Sequence, residues 1–484
     1  MTTNSLLDFS DLPRFDIFSP EHVTPAITQL LDEARALVGK LEAPGTIADW
    51  DSFVEPLERV TERLGRAWGV VGHLNAVVDT PELRATYNEN QPRVTEFWTE
   101  LGQNLKLFDK YKALQTSAGY RALSPARRKI IDNAIRDFRL GGAELPEQQK
   151  KRFAEIQEQQ AKLSTRFSEN VLDATNAYEL LISDESRLAG LPEDVKQAAQ
   201  ANAEKEGKQG WRFTLHFPSY FPILQYADDR ALRETIYRAN ATKASELGDN
   251  PAWDNTQNIV DLLKLRDEEA NILGYKNFAE VSLVPKMATT PEQVISFLED
   301  LAARARPFAE NDLAELREFA RTELGIDQLQ AWDMTYAYEK LREKRYAFSE
   351  QEVKLYFPED KVVGGLFRLI QNMFGVEISP DHSPVWHADV RFFKIEKKGR
   401  LIGQFYLDLY ARPGKRGGAW MDDARGRKNL AGDIQTPIAY LTCNFTEPAM
   451  IDGIKKPAYF THDEVITLFH EFGHGLHHML TAVD

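Results

Sequence analysis

The stretch from Thr461 to Thr481 constrains this chain more than any other, because it joins a helix signal to a metal-ligand spacing. Five of the ten histidines fall between His462 and His478. Thr461 and Glu464 have the form of a capping box, which predicts a helix starting there. On that helix His470 and His474 are four residues apart and share one face, with Cβ atoms roughly 6 Å apart. Two imidazoles so placed can hold one zinc ion, at Zn–N distances of about 2.0–2.1 Å. Glu471 points elsewhere around the helix, which suits a general base acting on a water at the metal rather than a ligand.

Val465, Leu468, Phe469, Phe472, Leu476 and Met479 give the helix apolar surface, so it is expected to be internal, with another helix packed on Phe472 and Leu476. Gly473 and Gly475 each cost a helix about 1 kcal/mol relative to alanine, and two in one turn imply close packing at the backbone there. A plain exposed polar face on an amphipathic helix is the alternative reading. His477 and His478 read as hydrogen-bonded supports of the site rather than ligands.

The third ligand sorts the class. A further His six residues after His474, following a Gly, would mark a metzincin; those positions hold Leu480 and His477, which excludes it. The other common solution is a Glu on a following helix. Residues 475–484 contain no Glu, and Asp484 is a poor substitute just past the same helix. The third ligand is therefore expected beyond Asp484.

Hydrophobic residues make up 43% and charged residues 27% of the 484, enough for a sizeable core in about three domain-sized units or two larger ones. The net charge of −15 argues against nucleic acid or an anionic membrane as partner. Cys443 is the single cysteine, so no intrachain disulfide can form, which fits a reducing compartment. No apolar run is long enough to span a bilayer, and the first residues lack the pattern of a signal peptide. The cytoplasm is the expected location.

Helical spacing dominates the first half. Val23, Ile27, Leu30, Ala34, Leu37 and Leu41 mark one helix, and Val54, Leu57, Val60, Leu64, Trp68 and Val71 a second. Thr80-Pro81 and Ser124-Pro125 open two more, with a kink expected at Pro92. A long helix is expected from Pro146 past Val171. Trp211 to Phe217 alternates apolar and polar, predicting a strand with His216 on its surface side. Helices resume from about Ile223 to Phe374. The texture then changes. Val390–Glu396 and Leu401–Asp408 about Lys398-Gly399 read as a β-hairpin, and Ile438–Phe445 as another strand. Arg412 to Trp420 is a basic, Gly-rich loop without the order of a nucleotide-binding loop. A strand edge just before the histidine helix could pair with an extended peptide, which makes Thr442, Asn444, Gly417 and Gly418 candidate substrate contacts. Thr442 and Asn444 read equally well as ordinary strand residues, and Cys443 as a small buried one.

The chain resembles the thimet-oligopeptidase-like family of zinc metallopeptidases. The resemblance rests on Phe460–His478, Gly403–Arg412, Lys415–Asp423, Val390–Phe393, Tyr356–Glu359 and Asn170–Thr175. It implies a mainly α, two-lobed fold with a deep channel and a small β-sheet next to the zinc helix, the catalytic lobe being incomplete. It implies an N-terminal helical oligopeptidase domain over 1–150, a long helix with connecting helices and a strand over 151–222, and a catalytic domain over 223–484. His470 and His474 would ligate one zinc, Glu471 would be the base, and the substrates would be short unstructured peptides. A monomer is expected. The alternative is an inactive fragment that only binds peptide or metal.

Overall fold

The structure, a computed structural model, describes residues 4–430, 433–448, 450–451, 454–455 and 457–483. Asp484, read above as a poor ligand, lies outside the described residues.

Helices α1 (Val23–Leu41), α2 (Glu55–Val77), α3 (Pro81–Gly102), α4 (Leu105–Thr116), α5 (Ala118–Ala122) and α6 (Pro125–Leu140) lead to the 31-residue α7 (Glu147–Ala177). Strand β1 (Leu180–Ile182), α8 (Glu193–Lys205) and β2 (Trp211–Phe213) follow. Then come α9 (Phe217–Tyr226), α10 (Arg230–Thr242), α11 (Thr256–Ile272), α12 (Phe278–Leu283), α13 (Pro291–Glu323), α14 (Ala331–Tyr346), α15 (Glu350–Lys354) and α16 (Glu359–Phe374). The strands are β3 (Glu377–Pro380), β4 (Arg391–Lys397), β5 (Arg400–Tyr410), β6 (Trp420–Arg425), β7 (Lys428–Leu430), β8 (Asp433–Gln435), β9 (Ile438–Phe445), β10 (Met450–Ile451) and β11 (Ile454–Lys455). Helix α17 (His462–Met479) comes last. This is the mainly helical architecture with a small sheet before the histidine helix that the sequence implied.

The expected strand Trp211–Phe217 is cut short. β2 pairs with β1 over three residues, and the chain then enters α9, whose Pro218 has the fixed φ suited to a first helical turn. His216 is consequently half-buried, with Nδ1 3.1 Å from Thr214 Oγ1, and not a surface histidine. Burial lowers its pKa.

The five-stranded sheet runs β3-β4-β5-β9-β6 and is antiparallel except for β5–β9. Alternate side chains part to opposite faces. Phe405, Leu407 and Leu409 of β5, with Ala439, Leu441 and Cys443 of β9, pack with α16 and α17. Tyr406, Ile438 and Tyr440 join the core of α1, α2 and α3 on the other face. His73 of α2 lies flat on Tyr440, centroids 3.7 Å apart at 10°. Burial lowers its pKa to about 3, so it docks as a neutral ring.

The expectation that Ile438–Phe445 offers an edge is overturned. Among the described residues β9 lies between β5 and β6, fully buried along its length, and the edge strand next to α17 is β6. The sequence hid β6 because Asp422 and Asp423 are poor strand formers, and its strand state comes from pairing with β9.

Candidate metal centre

The capping box of α17 forms as expected. Thr461 Oγ1 accepts the Glu464 N–H at 3.1 Å, and Glu464 Oε2 accepts the Thr461 N–H at 2.8 Å. Glu350 Oε1 adds a carboxylate at the helix N-terminus, accepting the His462 N–H at 2.9 Å.

The rotation of α17 follows from what its apolar stripe meets. Leu468, Phe472 and Met479 are buried in the core shared with the sheet. The Phe472 ring centroid lies 5.1 Å from that of Phe405, edge to face. Burying such a ring stabilises the seat by roughly 1.5–3 kcal/mol. Phe472 and Leu476 meet α16 in the core shared with the sheet. The expectation of an internal helix is corrected in part, since Ile466, Phe469, His470 and His474 are exposed. Gly475 meets the close packing foreseen, because a Cβ there would stand 3.0 Å from Leu441 Cδ2. Gly473 does not; it faces open space. Gly403 on β5 was not foreseen, and its Cβ would come within 2.9 Å of Met479 Cβ.

Seated in this way, α17 turns His470 and His474 outward together. Their Nε2 atoms are 3.2 Å apart. Two nitrogens about 2.05 Å from a tetrahedral ion would be separated by about 3.3 Å, so the spacing of the pair is compatible with two ligands of one ion. Among the described residues no group of three His, Cys, Asp or Glu side chains is placed to hold a metal. Glu471 is 8% exposed. Cys443 on β9 is buried, and burial pushes its thiol well above the ordinary range, consistent with an inert packing residue.

An open groove of about 670 Å³ runs between α17 and β6. Glu471, His474, His477, His478 and Thr481 line one side, and Ala419, Trp420, Met421 and Asp423 the other. His477 is exposed there. His478 Nε2 lies 3.0 Å from the Arg425 carbonyl oxygen, so that nitrogen carries the hydrogen and ties α17 to the end of β6.

Thr442 and Asn444 are not in the groove. Alternation along β9 puts both on the face turned from α17. Thr442 is fully buried, and Asn444 Nδ2 donates to the carbonyls of Arg416 at 2.8 Å and Gly418 at 2.7 Å. Gly417 and Gly418 are exposed in the loop that leads into β6, Gly418 at φ +97°.

Residues 223–484, more than half of the chain, match Peptidase family M3. The chain belongs to that family. Residues 27–151 match the Neurolysin/Thimet oligopeptidase N-terminal domain. The chain is 47% identical over 486 residues to Oligopeptidase A of Escherichia coli (strain K12), covering 100% of this chain and 71% of that protein. It is 40% identical over 501 residues to the Probable cytosolic oligopeptidase A of Arabidopsis thaliana, covering 100% and 70%. Against the Dipeptidyl carboxypeptidase of Salmonella typhimurium the identity is 32%, over 99% and 70%. M3 peptidases are zinc metallopeptidases.

Proposed function

We propose that this M3 peptidase cuts short, unstructured peptides at the groove between α17 and β6, with His470 and His474 holding zinc and Glu471 moving the proton. The observation that carries the reading is the 3.2 Å convergence of the two Nε2 atoms beside a groove that Glu471 also lines. The third ligand proposed is a Glu carboxylate, which would complete a His₂Glu set. When bound, zinc supplies a Lewis acid that polarises the scissile carbonyl and acidifies water. An extended peptide can add to the edge of β6 through backbone hydrogen bonds, which draws its carbonyls across His474 and Glu471. Glu471 takes a proton from the attacking water as the C–O bond forms. It gives that proton to the departing nitrogen as the C–N bond breaks. His478 ties α17 to the end of β6 beside the groove.

The cytoplasm is the proposed location, on the single cysteine and the printed name of the Arabidopsis thaliana relative. No described helix is long and apolar enough to cross a membrane.

The test is Glu471→Gln in the full-length protein. Zinc content by elemental analysis is expected to stay the same. Cleavage of a quenched-fluorescent peptide is expected to fall by about 100-fold or more. Loss of zinc in the variant would make Glu471 a ligand, and zinc binding with no cleavage by the unaltered protein would favour a non-catalytic scaffold.

A further inference from the structure

Arg412 and Lys415 of the basic loop Arg412–Trp420 pair their charges internally. Asp408 of β5 is 1% exposed and accepts from Trp386 Nε1 at 2.9 Å, from Arg412 at 2.7 Å on each oxygen, and from Lys415 Nζ at 2.8 Å. Burial alone would raise its carboxyl, but Arg412 and Lys415 hold it down at about 2. The Lys415 ammonium also donates to the carbonyls of Tyr410 at 2.8 Å and Cys443 at 2.6 Å. One buried ammonium therefore staples the ends of β5 and β9. The same loop is held from outside the sheet by α2. Arg412 Nη2 donates to the Val77 carbonyl at 3.0 Å, the Arg416 N–H to that of Ala76 at 2.8 Å, and the Asp79 N–H to that of Gly414 at 2.9 Å. Asn444 holds the last carbonyls before the turn at Gly418, and two residues later β6 begins.

None of Asp408, Arg412, Lys415 or Asn444 lines the groove. What they determine is where the chain leaves the sheet core and becomes β6. We propose that Asp408 and Asn444 are positioning residues, which act through the Arg412–Gly418 loop to set the register of the β6 edge against His474 and Glu471. An apolar trio of similar volume could fill the same space with equal stability. Only directed donors require each loop atom to meet one given oxygen. The proposal rests on β6 being the edge that binds peptide.

The experiment uses the full-length, zinc-loaded protein and one quenched-fluorescent peptide, in the variants Asn444→Ala, Lys415→Met and Lys415→Arg. Folding is checked by circular dichroism and a melting curve. Asn444→Ala removes two hydrogen bonds and no charge, so it decides the matter if Lys415→Met fails to fold. With zinc content and most of kcat retained, KM is expected to rise by about tenfold, the mark of lost substrate binding. Mass spectrometry is expected to find cleavage spread to neighbouring bonds. Lys415→Arg, which keeps the charge and several donors, is expected to recover much of the effect. If the unaltered protein cleaves the peptide while Asn444→Ala keeps its KM and its bond, the positioning role is wrong. If the unaltered zinc-loaded protein cleaves nothing, the peptidase reading fails and takes this proposal with it.

Discussion

Helices α13 and α17 open in the same way. Thr290 Oγ1 accepts the Gln293 N–H at 3.2 Å, and Thr461 Oγ1 accepts the Glu464 N–H at 3.1 Å. Both then carry regularly spaced apolar residues. Helix α17 has Leu468, Phe472 and Met479 under the sheet, while α13 has only Leu316 and Ala320 buried in 33 residues. Phe297 and Phe308 of α13 are 62% and 72% exposed among the described residues. The difference teaches what a covered face adds. A helix pressed on a sheet has one allowed rotation, and for α17 that rotation directs two imidazoles to one point. Before Leu316 and Ala320 pack on α14, the first turns of α13 are held by their own propensity, the cap and pairs such as Arg304–Asp300, so the sheet fixes no rotation for them.

Four substitutions sharpen or break this contrast. The largest effect is expected from Phe472→Ala, which removes a ring between Phe405 and Phe367 and should cost about 3–5 kcal/mol in urea unfolding. A loss below about 1 kcal/mol would mean that the sheet does not seat α17. The cap variants come next. Thr461→Ala and Thr290→Ala should each remove about 1 kcal/mol. The first should lower the stability of the whole catalytic core. The second should show only as faster hydrogen exchange in the first turns of α13, and a shift of the global midpoint by Thr290→Ala would undo the distinction. The smallest effect is expected for Phe297→Ser, within about 0.5 kcal/mol, as for an exposed site. A larger loss would show that α13 is covered in solution.

Much of the site was legible before any fold. The Thr461–Glu464 box, the spacing of His470 and His474 and the adjacent Glu471 are features within one helix, and local rules suffice for those. The hairpin of β4 and β5 was legible for the same reason, since Lys398 and Gly399 both take positive φ at its turn. Thr442 and Asn444 stayed open between two readings because alternation tells which residues share a face but not which face meets which neighbour. His216 was misjudged because the propensity of a seven-residue alternation yielded to Pro218 and to the packing around α9.

The amino-acid sequence by itself determined the helical character of the chain, the start of α17, and the pairing of two imidazoles with a carboxylate on it. Each depends on residues within about one or two turns of one another, where backbone geometry leaves few choices. Only the tertiary structure decided that β9 is interior and β6 is the edge. It also decided that Phe472 is turned to Phe405, and that the charges of Arg412 and Lys415 are consumed by Asp408. The sheet contacts join segments tens of residues apart, and strand order depends on which partner buries more apolar surface. The ion cluster follows from that choice, because its donors reach Asp408 only where the ends of β5, β9 and α2 have been brought together.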